Sequence, residues 1–211
     1  MSMAIARRGL CLVVAAPSGA GKSSITRALL ESEPELTLSV SVTTRAPRPG
    51  EREGVHYFYR TPDEFDRMVE AGELLESAKV FGRGYGSPRA PVERALAAGR
   101  DVVFDIDWQG FRQMRAALPD DVVGLFILPP SLAELEARLR ARRGDDDQEI
   151  ARRMAAAQSE ISHAAEFDHV LVNRDLADSV AAARAVLHCA RMQTRRLVGL
   201  ADFMATLLAG R

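Results

Sequence analysis

The clearest chemistry in this chain lies in eight consecutive residues, Ala16-Pro17-Ser18-Gly19-Ala20-Gly21-Lys22-Ser23. Gly19 and Gly21 let the backbone curl until its N–H groups converge on one point, and a lysine and a hydroxyl follow at once. Such a loop suits the oxygens of a polyphosphate. The candidate contacts are Ser18, Gly19, Ala20, Gly21, Lys22, Ser23 and Ser24; among them Lys22 would reach the terminal phosphates and Ser23 would ligate Mg²⁺. The motif requires a strand before it and a helix behind it. The apolar run from Leu10 to Ala16 and the helical pattern from Lys22 to Glu31 supply both. Ala16 stands where the motif has its first glycine. One extra methyl group leaves the loop intact if that residue keeps an ordinary negative φ. Taken alone, the loop says only that a nucleotide binds.

Three further groups of residues carry charge where charge is useful. Arg45 and Arg48 stand three apart in the run TTRAPRPGEREGVHYFY, from Thr43 to Tyr59. Two arginines can grip a dianionic phosphate bidentately, and Tyr57 and Tyr85 can donate phenolic hydroxyls to the same oxygens. Asp105 and Asp107 end an apolar strand, Asp101 to Ile106, where carboxylates are costly unless they meet a metal, a ligand or donors. Arg138 and Arg142 share one face of a helix, and Arg153 lies on the next. Arginines so placed stabilise charge on a transferring phosphoryl group, or else form a solvated face paired with Asp145 to Asp147.

The elements that must position these groups alternate. Strands are expected at Leu10 to Ala16, Leu36 to Val42, Asp101 to Ile106, Val122 to Leu128 and His169 to Val172. Helices fill the intervals: Lys22 to Glu31, one opened by Thr61, Trp108 to Leu118, Ser131 to about Arg142, Ile150 to Glu166, and Leu176 to about Arg196. Thr61 with Glu64, and Ser131 with Glu134, read as capping boxes. The alternation predicts an α/β fold with a parallel sheet of five strands flanked by helices. Thr43 to Arg60 and Arg140 to Gln148 break the rhythm, and both read as loops or small insertions.

The run from Thr43 to Tyr59 resembles the signature of the guanylate kinase family at every specified position; Arg60, just beyond, departs from it. The segments Glu73 to Glu76, Tyr85 to Ser87, Asp105 to Gly110, Leu128 to Ser131, and Val172 with Asn173 resemble family landmarks in the family's order, most like the bacterial enzymes. The resemblance implies a P-loop nucleoside monophosphate kinase that moves the γ-phosphate of ATP to GMP with Mg²⁺. It implies Glu76 and Asp107 as carboxylates facing guanine N1–H and N2–H₂, Ser41 and Ser87 as hydroxyls facing O6, and Arg45, Arg48, Tyr57 and Tyr85 on the GMP phosphate. Asp105 is implied beside Ser23 on the metal side, and Asn173 near adenine. Lys22, Arg45, Arg138, Arg142 and Arg153 become the catalytic set, the last three as a closing lid. The expected domain runs from 8 to 198, with a GMP-binding insertion at about 43–89, a lid at about 140–153 and an amphipathic tail from 199 to 211.

Composition agrees with this and excludes other classes. With 28 basic and 29 acidic residues in 211, the chain lacks the surplus that holds long nucleic acid. No apolar run is long enough to span a membrane. Cys11 and Cys189 fit no metal or redox spacing and read as reduced, mostly buried thiols of a cytoplasmic protein. His56, His163, His169 and His188 form no ligand set, so no transition metal is expected. The small-molecule partners are ATP and GMP, and a homo-oligomer stays open. Two other readings fit a phosphate loop: a non-catalytic module of the same family, which the intact Lys22, Ser23 and Asp105 oppose, and a kinase for a phosphorylated sugar, which the guanine set opposes.

Overall fold

The structure is a computed structural model that describes residues 5–141 and 146–210. In chain order its elements are β1 (Ala6–Arg7), β2 (Cys11–Ala15), α1 (Lys22–Ser32), β3 (Leu36–Leu38), β4 (Ser41–Thr43), β5 (Tyr57–Tyr59), α2 (Pro62–Glu70), β6 (Leu74–Val80), β7 (Arg83–Pro88), α3 (Arg89–Ala97), β8 (Asp101–Asp105), α4 (Trp108–Ala117), β9 (Val122–Leu128), α5 (Leu132–Arg140), α6 (Asp147–Ile161), β10 (His169–Val172), α7 (Leu176–Arg191), β11 (Leu197–Val198) and α8 (Leu200–Leu208).

Five strands form a parallel sheet in the order β10-β9-β2-β8-β3. β2 is buried along its whole length because both of its faces are covered. Leu12 and Val14 point to one side, onto Ile25 and Leu29 of α1 and Ala183 and Leu187 of α7. Cys11, Val13 and Ala15 point to the other, toward Leu96, Phe104, Phe111 and Met114. A strand buried on both faces reads as one apolar run, which is why Leu10 to Ala16 was legible as a strand. β2 is also where the strand order reverses, since later strands are added on both of its sides. In open parallel sheets a crevice opens there, beyond the carboxyl ends of the strands.

A second sheet, β5-β4-β7-β6, stands beside the first. It spans Ser41 to Pro88 and carries α2. Thr61 caps α2 with the full reciprocal box, and Pro62 follows it at the first helical position. The expected strand from Leu36 to Val42 is two strands. β3 lies on the edge of the parallel sheet, and after Ser39 donates its N–H to Val103 the chain leaves that sheet and re-pairs as β4 against β5 and β7. One apolar run thus serves two sheets, and Ser41 belongs to the insertion rather than to the core.

Helix ends also differ from expectation, among them that of α6, which stops at Ile161 rather than Glu166. Ser131 caps α5 from one side only: its hydroxyl accepts the Glu134 N–H, while the Glu134 carboxylate pairs with Arg138. Asp146 caps α6 ahead of the expected start. α7 stops at Arg191 because the chain turns back, burying Arg196 and pairing β11 antiparallel with β1. α8 follows with none of its side chains buried. Cys11 is buried as expected, but Cys189 is exposed on α7. No helix among the described residues is long and apolar enough to cross a membrane.

Candidate functional site

The carboxyl ends of β2, β8, β9 and β10 converge on the phosphate loop. Gly19 and Gly21 sit at φ 94° and 102°, the left-handed region that a side chain disfavours. Gly21 also has a neighbour that forbids a side chain: a Cβ there would lie 2.3 Å from Nδ2 of Asn173. Phe81 is the only non-glycine residue among those described with positive φ, so Ala16 keeps an ordinary backbone, as the loop requires. The loop closes around a hollow of about 320 Å³ lined by Ala16 to Gly19, Gly21 to Ser24, Asp105 and Glu160. Ala20 is buried, with its carbonyl turned to the Asn173 amide. Lys22 Nζ stands 2.5 Å from Asp105 Oδ1.

Asn173 holds the loop from below. Its Nδ2 donates to the Ala20 carbonyl at 2.8 Å, its Oδ1 accepts from Ser179 at 2.9 Å, and its own N–H donates to Leu128. Its side-chain amide is committed to loop geometry. Its carbonyl faces Arg138, whose Nη2 lies 3.4 Å away. These two residues, with Gly19, Gly21, Ser24 and Arg174, line a second hollow on the outer side of the loop.

A cleft of about 430 Å³ joins the loop to the second sheet. Ser23 and Asp105 line it from the core, and Ser41, His56, Tyr57 and Ser87 from the insertion. Deeper in, Glu76 is only 7% exposed, and Ser87 donates its hydroxyl to Glu76 Oε1 at 2.7 Å. Burial pushes the Glu76 carboxyl above its usual range and the charge of Asp107 adds to that, while the Ser87 hydrogen bonds oppose it. Asp107 caps α4, accepting the Gly110 N–H at 2.9 Å. The sequence placed Glu76 by resemblance alone; it lies on β6.

Arg45, Tyr57 and Tyr85 come together at the mouth of this cleft. The Arg45 guanidinium lies 5.3 Å from the Tyr57 ring centre, and the Tyr57 and Tyr85 rings meet edge-on at 6.3 Å. Glu51 organises the group, and sequence reasoning had not singled it out. It pairs with Arg45 at 2.8 Å and accepts from the Arg48 N–H and the Tyr59 hydroxyl. Hydrogen bonds from these partners, Arg45 first, hold the Glu51 carboxyl at about 2. The Arg48 side chain is exposed.

The lid residues are less gathered. Arg138 pairs with Glu134 at 3.0 Å and Arg153 with Glu149 at 3.0 Å, each within its own helix. Arg142 lies outside the described residues. α5 and α6 pack on each other through Leu135, Leu139, Met154 and Ala157. Glu160, near the end of α6, reaches the loop. Burial raises its carboxyl and Asp107 adds to that, while the charge of Lys22 pulls the other way. No local motif marks Glu160, because its partners lie on the far side of the sequence.

The donors available to a metal are the Ser23 hydroxyl and the Asp105 carboxylate. Among the described residues no group of three or more His, Cys, Asp or Glu is placed to hold a metal ion. Two hard oxygen donors beside a phosphate seat suit Mg²⁺, which keeps several waters and takes its remaining ligands from phosphate.

Comparison with known proteins agrees with this geometry. The guanylate kinase family model matches residues 8–190. The guanylate kinase of Gluconobacter oxydans is 65% identical over 200 residues, covering 95% of this chain and 96% of that one. The guanylate kinase of Granulibacter bethesdensis is 63% identical over 190 residues, covering 90% and 89%. The crystal structure of guanylate kinase from Anaplasma phagocytophilum superposes with a TM-score of 0.76 at 34% identity, covering 96% of this chain and 97% of that one. Sequence, fold and the joined clefts agree, and the chain belongs to the guanylate kinase family.

Proposed function

We propose that the cleft shared by Ser23, Ser41, Tyr57 and Ser87 is where this guanylate kinase passes the γ-phosphate of ATP to GMP, and that the residues around it divide the work as follows. The observation that carries the reading is that one continuous cleft joins the hydroxyl of the phosphate loop to the hydroxyls and aromatic rings of the insertion. A donor phosphate and an acceptor phosphate held at its two ends would meet without crossing solvent.

On the donor side, the loop amides from Ser18 to Ser24 and Lys22 hold the ATP phosphates. Ser23 and Asp105 would hold Mg²⁺, whose charge would offset that of the ATP phosphates. Asp105 faces Lys22 in this conformation, so both groups are already at the place where the phosphates arrive. Asn173 positions the loop through its amide, and with Arg138 lines the end where the adenosine lies.

On the acceptor side, Arg45, Arg48, Tyr57 and Tyr85 grip the GMP phosphate and aim its oxygen at the γ-phosphorus. Guanine enters between Ser41, Glu76, Ser87 and Asp107. The Ser87 proton, now given to Glu76, turns toward O6 and frees the Glu76 carboxylate for the ring N–H. Adenine offers no such exchange and would leave a buried carboxylate unpaired. Closure brings Arg138 and Arg153 from their helical partners, together with Arg142, onto the transferring group. Phosphoryl transfer needs this positioning and charge more than covalent chemistry.

The test is a coupled ADP-release assay with ATP and Mg²⁺, offering GMP, AMP, CMP and UMP separately. Release with GMP at least about 10²-fold above the other three is expected. Equal release with AMP would remove Glu76 and Asp107 from the base site, and none with any acceptor would return the chain to the non-catalytic class.

A further inference from the structure

Glu160 lies where a phosphate would lie. It lines the hollow of the phosphate loop beside Ser18 and Lys22, and feels the positive charge of Lys22. Both residues belong to the set that the reading above gives to the ATP phosphates. Two anions in one nest repel, so a carboxylate and a phosphate do not share it. Glu160 is also not on the loop. It comes from α6, with Arg153 seven residues earlier on the same face of that helix, two turns away. α6 is packed to α5 by Met154 and Ala157 against Leu135 and Leu139, and the side chains of Leu135 and Leu139 lie against Gly19 itself. Just past the end of α6, His163 stacks on Trp108 at 3.6 Å, directly after Asp107 at the base site.

We propose that Glu160 is a positioning residue that occupies the γ-phosphate seat of the loop until ATP displaces it, and that its displacement is what moves α6 and delivers Arg153. The arrangement exchanges one anion for another. The nest holds a protein carboxylate while the site is open and a phosphate with an arginine above it once closed. Binding of ATP is weakened by the cost of expelling Glu160, and the same cost leaves part of the ATP-bound population open, with the lid arginine away from the phosphates. This rests on the assignment of the loop to ATP.

The test compares wild type with Glu160→Gln, which keeps shape and removes charge, and Glu160→Asp, which keeps charge on a shorter stem. The probes are Mg²⁺ with a non-hydrolysable ATP analogue, and GMP. Glu160→Gln is expected to bind the analogue roughly tenfold tighter, with a smaller change in the KM for GMP. It should also release ADP without GMP several-fold faster than wild type, with Glu160→Asp nearer to wild type on both readings. Weaker or unchanged analogue binding by Glu160→Gln would overturn the proposal, because a carboxylate that merely braces the loop would be missed when removed. Wild type gives a second reading that needs no variant. Trp108 is the only tryptophan, and its emission should change as the analogue draws α6 and His163 away; emission unmoved at saturation would overturn the helix movement. If wild type itself fails to phosphorylate GMP, the fault lies with the functional reading and not with Glu160.

Discussion

A carboxylate with a single hydroxyl for company is an expensive thing to bury, and Glu76 shows what the expense is for. Burial raises its pKa, and Asp107 raises it further. A carboxyl whose folded pKa is raised binds its proton more tightly in the native state than in the unfolded one. Its contribution to stability therefore falls as pH rises through that raised value, and at neutral pH the charge works against the fold. Glu76→Gln should accordingly melt no lower than wild type at neutral pH. It should raise the KM for GMP by about tenfold or more while the KM for ATP moves by less than about twofold. A lower melting temperature with an unmoved KM for GMP would make Glu76 a structural acid. Its residue type and position were legible, but only the fold shows that β6 carries it inward to Ser87. Glu51 is the reverse case: its place in the motif was plain, and its job of gathering Arg45, Arg48 and Tyr59 was not, because hydrogen-bond partners are not a property of spacing.

At the scale of elements, the phosphate loop is held by a strand it never neighbours in sequence. Asn173, just beyond β10, ties Ala20 to Ser179 on α7. Removing that amide leaves the Ala20 carbonyl and the Ser179 hydroxyl buried and unpaired, at a cost of about 1–3 kcal/mol. Asn173→Ala should show that loss in urea unfolding, and should raise the KM for ATP more than that for GMP. An equal rise in both would mean that the clamp acts on the whole cleft and not on the loop. The strand–loop–helix run was readable because its two glycines, its lysine and its apolar strand are all local. The split of Leu36 to Val42 was not. Each half is a respectable strand, and the sequence carries no mark of the point where the chain changes sheets.

At the scale of the whole molecule, the charge is sorted. The site lies at the carboxyl edge of the parallel sheet, and a dense ionic network lies at the opposite edge. Glu33 takes Arg184, His188 and Arg191 from α7; Asp101 takes Arg7 and Arg191; Asp121 takes Arg8. Arg196, fully buried, donates to the carbonyls of Gly9 and Asp121. Burial alone would raise the Glu33 carboxyl, but hydrogen bonds from its three partners, Arg191 first, outweigh it and bring it from 4.5 to about 2. A depressed carboxyl contributes stability that is complete above its unfolded pKa and disappears as pH falls through the folded one. Glu33→Gln should therefore lose on the order of 1–3 kcal/mol at neutral pH, with the gap to wild type closing as pH falls from 4.5 toward about 2. Thermal melts across that range decide it; a gap that persists at the acid end would mean that packing, not charge, holds α1 to α7.

The sequence by itself determined the phosphate loop, the alternation of strands and helices, and the order of the motifs. Each of these is written in neighbouring residues and in periods of two or 3.6. Only the tertiary structure decided which carboxylates are buried, that Asn173 locks the loop, that Arg196 is sealed in the core, and that Glu160 enters the phosphate hollow. Those outcomes depend on pairs far apart along the chain, brought together by sheet order and helix packing, and no local pattern encodes them.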